Sequence, residues 1–227
     1  FTWDGKYYHF PHVNLWPRAY QQPHPPVWIP SQGSRETIEF AADPSRRYVY
    51  LQTAAPAATL FRTMQSYRDE AGRHGYRASP DQLGWSIKIY VAETDAIARA
   101  EAKPHIESFA NKFLRMPQEM LLPPGYTSPA SMKALMLSRR TITGSHRTME
   151  QMIEQGTFIC GAPRTVIDQL AEYQQRGGFN IVMAGLHFGT LPHALTMKNI
   201  EIFAKDVMPA LRDALPPTEV ARVAAAE

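Results

Sequence analysis

The 227 residues are 44% hydrophobic and 20% charged with a formal net charge of only +3, a balance that belongs to ordinary globular domains and excludes disordered and fibrous classes. The basic residues are scattered, so the electrostatic footprint of a nucleic-acid partner is missing. Cys160 is the only cysteine, which excludes an internal disulfide and a thiolate zinc site, and no apolar run reaches the ~20 residues that cross a bilayer, so the expectation is a cytoplasmic protein with no membrane partner.

The chain opens on FTWDGKYYHF, with aromatic and polar residues alternating about Asp4-Gly5, which predicts a β-hairpin with a primed turn. HFPHVNLWPRAYQQPHPP follows as an extended connection, because each proline sets its own φ and pushes its predecessor toward β or polyproline geometry. Four strands are predicted: VWIP at 27–30, RYVYLQ at 47–52, WSIKIYVA at 85–92 and FNIVMAGL at 179–186. Each is a short apolar run of the kind buried on both faces of a parallel sheet. Apolar residues at three- and four-residue spacing predict helices over 34–42, 57–75, 95–113 and 192–214. A further helix over 163–176 has Pro163 in its first turn and stops at Gly177-Gly178.

Strands alternating with helices predict an α/β fold with a parallel sheet and right-handed crossovers. Four βα units make half of an eight-fold barrel, which takes about 250 residues. The fold is then either a small open α/β sheet or the C-terminal half of a (β/α)8 TIM barrel, strands 5 to 8, behind a leading hairpin. Residues 114–160 are too long for a plain connector and predict an insertion, of the kind that forms mobile lids or a surface excursion with one or two short helices. Arg139 and Arg140 are its charged pair. Residues 1–215 read as one domain and 216–227 as a flexible tail.

The chain contains no GxGxxG, GxxxxGK[ST], GxSxG or HExxH pattern, so dinucleotide, P-loop, hydrolase and zincin chemistry have no local support. The eight histidines do not cluster at ligand spacing, and no metal site is expected. The informative stretch is VWIPSQGSRETIEFAA at 27–42. Ser34 as N-cap would cover one amide of the first turn, leaving those of Gly33, Ser34 and Arg35 facing outward at a positive helix end, with Thr37 one turn along. Gly33 lacks the Cβ that would block an approaching anion. The pattern is either an ordinary cap or a phosphate site. Its place, Ser31 to Arg35 at the C-terminal end of a strand, is where barrel enzymes hold ligands. Leu186 to Gly189 ends the last strand on the same face, and His187 there is a catalytic candidate. His193 reads as a cap or packing residue and Cys160 as a small buried one.

These segments resemble the bacterial-luciferase-like flavin monooxygenases. FTWDGKYYHF with LWPRAYQQPHPPVWIPSQGSRETIEFAA resembles the lead into the fifth barrel strand and its helix, and WSIKIYVAETDAIARAEA the seventh. GAPRTVIDQLAEYQQRGGFNIVMAGLHFGTLPHALTMKNIEIFAKDVMPALRD is similar to the family's C-terminal signature. The resemblance implies a barrel that binds FMN, delivered reduced by a separate flavin reductase, and uses it with O2 to oxidise a small organic substrate. It implies a phosphate site at Ser34 and Thr37 with Ser31, Gln32, Gly33 and Arg35 around them, although an acidic residue stands in the family where this chain has Gly33. It implies a lid over 114–160, through Arg139 or Arg140, and places strands one to four, with the neighbours of the reactive flavin carbon, upstream of Phe1, so that this segment alone would be inactive. A deazaflavin in place of FMN, a homo- or heterodimer, and a non-catalytic partner subunit are alternatives within the same resemblance.

Overall fold

The computed structural model describes residues 1–22, 24–53, 55–114, 128–130, 132–133 and 146–214. Arg139 and Arg140, most of the 114–160 stretch and the tail lie outside them. The opening segment forms a short antiparallel pair, β1 (Trp3–Asp4) and β2 (His9–Phe10), with Trp3 opposite Phe10. The primed turn expected at Asp4-Gly5 is not what closes it. Gly5 does not adopt the positive φ such a turn demands, and its N–H donates to the Tyr8 carbonyl at 2.9 Å. The loop is therefore Gly5 to Tyr8, because Asp4 is used as a strand residue whose carboxylate meets the His9 ring across the pair.

A five-stranded parallel sheet carries the rest of the fold. Its strands are β3 (Trp28–Ser31), β4 (Val49–Thr53), β5 (Leu83–Val91), β6 (Phe158–Gly161) and β7 (Ile181–Gly185). The helices are α1 (Arg35–Ala42), α2 (Ala57–Arg73), α3 (Asp95–Ser108), α4 (Met149–Glu154), α5 (Pro163–Gly177), α6 (His193–Ile202) and α7 (Met208–Ala214). Wider π-type turns at Phe109–Phe113 and Phe203–Val207 extend α3 and join α6 to α7. The helix α5 begins with Pro163 in its first turn and ends at Gly178, whose φ of 62° is the left-handed cap expected of a glycine there.

Nine residues long, β5 serves three partners. Leu83–Ser86 pair with β4, Gly84–Lys88 with β7, and Lys88–Val91 with β6. Because β4 and β7 both pair with Gly84–Ser86, they occupy opposite edges. Beyond the end of β7 that edge passes to a side chain: Asn199 of α6, fully buried, accepts from the Val91 amide at 2.8 Å and donates to the carbonyls of Ile89 and Leu186, both at 2.9 Å. The strand β6 was not foreseen. Its first three residues lie inside the stretch read as an insertion, and all four are buried.

Alternation along β5 sorts two faces. Leu83, Trp85, Ile87, Ile89 and Val91 point into a core with α1, α2 and α5, where Leu60, Met64, Tyr67 and Ala71 form one fully buried stripe of α2. Each of the larger side chains contributes about 1.5–3 kcal/mol by leaving water. Tyr90 and Ala92 face the other way into a second cluster with α3, α4, Phe158 and Phe188. Between these clusters, on the face away from the first core, stand Ser86 and Lys88.

Candidate functional site

The turn after β3 is pegged from beneath. Ser31 is buried and its hydroxyl accepts from the Gly33 amide at 3.1 Å. Its carbonyl accepts from the Gln52 side-chain amide at 3.3 Å and from the Thr53 hydroxyl at 3.1 Å. Gln52 is fully buried, and its carbonyl oxygen accepts in turn from Tyr50 at 2.9 Å and Thr63 at 2.7 Å. A buried amide with both ends satisfied by β3, β4 and α2 holds the turn rigidly. Burial raises the Tyr50 phenol above its ordinary pKa, so this network stays neutral.

Above it sits the N-terminus of α1. Ser34 is the N-cap in extended geometry, its hydroxyl accepting from the Thr37 amide at 3.3 Å and lying 2.7 Å from the Thr37 hydroxyl. The amides of Ser34 and Arg35 find no acceptor among the described residues, so two hydroxyls and two open N–H groups share one positive helix end. Gly33 has a φ of 102°, and a Cβ there would lie 3.0 Å from the Thr63 Cγ2 atom. Its missing side chain therefore answers to the backbone and to Thr63, not to an outward approach. The Arg35 guanidinium turns along the exposed side of the helix to Glu39 at 2.6 Å, which leaves only its backbone at the turn. Gln32 is exposed. Glu36, which sequence reasoning passed over, also belongs here: its carboxylate accepts from the Ser128 amide at 3.2 Å, so an anion would share this helix end with that charge and with the chain at 128.

A cleft of about 230 Å³ opens beside this turn on the face away from the first core. Thr53, which bonds the Ser31 carbonyl, also lines the cleft and so joins the two features. Lys88 enters from β5, with its ammonium 5.4 Å from the centre of the Phe109 ring. Gly185, opposite Lys88 in the β7 register, leaves room for it, since a Cβ there would press on the Lys88 side chain at 2.9 Å. Arg147 enters from the segment before α4. Asn111 clamps its backbone at both N–H and carbonyl, 2.9 Å each, and the guanidinium donates to Thr157 at 3.2 Å. Burial lowers the Arg147 pKa from its ordinary value. Neither Lys88 nor Arg147 forms an ion pair among the described residues. Sequence reasoning missed both; the one signal was a lysine inside the buried run WSIKIYVA.

The histidine candidate stands apart. His187 is exposed, pairs its Nδ1 with Thr196 at 3.0 Å and does not line the cleft. His193 is exposed in the first turn of α6. Cys160 is buried and burial pushes its thiol up to about 12, which makes it inert. Among the described residues no three His, Cys, Asp or Glu side chains gather to hold a metal, and no helix is long and apolar enough to cross a membrane.

A family model described as luciferase-like monooxygenase matches residues 1–179. An uncharacterised protein of Sinorhizobium fredii is 24% identical over 192 residues, 84% of this chain and 50% of its own. The fold is similar to the FMN-bound oxygenating constituent of 3,6-diketocamphane monooxygenase from Pseudomonas putida, with a TM-score of 0.63 and 16% identity over 92% of this chain and 58% of the other. It is also similar to an F420-dependent secondary alcohol dehydrogenase, with a TM-score of 0.58 and 15% identity over 94% of this chain and 56% of the other. The chain thus spans about half the length of the proteins it matches.

Proposed function

The chain belongs to the luciferase-like monooxygenase family, and from that premise we propose that it forms the C-terminal half of a (β/α)8 flavin-dependent monooxygenase, the half that holds the cofactor's phosphate. The observation that carries this reading is the end of β3: Ser34 and Thr37 hydroxyls 2.7 Å apart beside two open amides, at the N-terminus of an eight-residue helix. These groups suit a phosphate monoester because their donors are arranged by the fold before any ligand arrives. Glu36 opposes the fit, but its carboxylate is engaged by the Ser128 amide.

FMN, delivered reduced by a separate flavin reductase, would supply the reaction with O2. The chain's own residues bind, orient and keep water away. The buried Ser31–Gln52–Thr63 network fixes the cradle, and Phe109, Ile106 and Met152 give the neighbouring cleft an apolar wall against water. His187 is left without a catalytic part in this proposal. Arg139 and Arg140, the expected lid pair, lie outside the described residues.

Ser34→Asp separates the cradle from the cap. Aspartate caps a helix as well as serine does, so the fold is expected to survive while a second negative charge meets the phosphate. FMN affinity by flavin-fluorescence titration is expected to fall by about tenfold or more; unchanged affinity refutes the cradle. A deazaflavin is a second reading, favoured by the similarity to the F420-dependent dehydrogenase. It presents phosphate chemistry to the same cradle, and parallel titration with FMN and F420 decides between the two.

A further inference from the structure

We propose that Gln52 is a positioning residue: buried on β4 beneath the turn, it gives the end of β3 its preference for a flavin that carries phosphate over one that does not. The proposal rests on the cradle reading above and adds to it the residue that sets the cradle's selectivity.

Among the described residues four polar side chains are buried, Ser31, Gln52, Thr63 and Asn199, and the first three meet under this one turn. Such a network adds little net stability over apolar packing, and what it supplies is direction. Gln52 and Thr53 follow each other on β4, so their side chains leave opposite faces of the sheet, Gln52 beside Trp85 of the first core and Thr53 beside Ser86. Both nevertheless donate to the Ser31 carbonyl, at 3.3 Å and 3.1 Å. A carbonyl gripped from both faces cannot swing, and the Ser31 hydroxyl holds the Gly33 amide two residues on. The restraint is needed at that place. Glycine samples more backbone conformations than any other residue, and Gly33, at a φ of 102°, directly precedes the Ser34 cap. Left loose, the turn would have to be ordered by the ligand, and fixing one residue's backbone at binding is worth about tenfold in affinity. Gln52 is the member whose loss frees the carbonyl from the core side, since Thr63 keeps the Thr59 and Leu60 carbonyls without it. Riboflavin has no group for this turn, so only the phosphate's share of the affinity depends on Gln52.

The test titrates FMN and riboflavin, by flavin fluorescence, into the full 227-residue chain and reads the ratio of the two affinities. Gln52→Met keeps the length of the side chain and removes its bonds; the preference for FMN is expected to fall by about tenfold with riboflavin affinity unchanged. Gln52→Glu is the conservative rescue. Its buried carboxyl, protonated in acid, donates to the Ser31 carbonyl as the amide does, so the FMN preference is expected to approach that of the wild type at the same low pH and to be lost as the carboxyl ionises. In flavin-free protein, amide exchange at Gly33 is expected to speed up in Gln52→Met relative to the amides of α5, a loosening of the turn without a loosening of the fold. A wild type that holds riboflavin as tightly as FMN removes the cradle and the proposal together. A Gln52→Met variant that keeps the wild-type preference, loses both flavins equally or leaves Gly33 exchange unchanged overturns the proposal alone. So does a Gln52→Glu variant without recovery in acid, which needs no methionine variant to fold.

Discussion

At Gly33 the backbone adopts a φ of 102°, and the direction a side chain would take is filled by Thr63. Thr63 cannot swing aside cheaply, because its hydroxyl is committed to Gln52 at 2.7 Å and to the Thr59 carbonyl at 2.9 Å. Gly33→Ala is therefore expected to lower stability by about 1–3 kcal/mol, read as a drop in the urea midpoint; an unchanged midpoint would show that the turn relaxes. The residue thus matters for a different reason than its pattern suggested. Ser34 as N-cap was legible, since the serine, its spacing to Thr37 and the helical run after it are all local. The bond from Glu36 to Ser128 was not, because it joins residues 92 apart in the chain.

Among the elements, Asn199 decides how α6 sits on the sheet. It takes over a strand edge that β7 abandons, so Asn199→Ala leaves the Val91 amide and the Ile89 and Leu186 carbonyls without their partner. A loss of about 2–4 kcal/mol is expected in denaturant unfolding, since each buried group left unpaired costs about 1–3 kcal/mol and water can recover part of that. A loss near zero would mean that water reaches this edge freely. The strands β3, β4, β5 and β7 and the boundaries of α5 were readable from apolar runs and from Pro163 and Gly178. The strand β6 was not, because FICG closes the stretch read as an insertion and is a strand by virtue of pairing with Lys88–Val91.

At the scale of the whole molecule, one face of the sheet is covered by helices and the other only in part. Trp28 is 38% and Met183 46% exposed, and Trp3, Tyr8 and Phe10 of the opening segment stand in solvent. Among the described strands of the five-stranded sheet, β3, β6 and β7 each pair with one neighbour only. Exposed apolar surface and open edges favour association. The 227-residue chain on its own is expected to elute from gel filtration ahead of a 25.6 kDa monomer and to enhance the fluorescence of an apolar dye. A compact monomer silent to the dye would contradict this.

The sequence by itself determined the α/β class, the parallel strands, the capped turn after β3 and the family resemblance, because periodicity, caps and turns are written in neighbouring residues. The cleft was decided by tertiary structure alone. Lys88 and Arg147 are 59 positions apart in the chain, each ordinary in its own segment. Only the pairing of β5 with β6, and the clamp of Asn111 on the chain before α4, bring the two charges into one cavity. Electrostatics depends on distance through space, which no local pattern encodes.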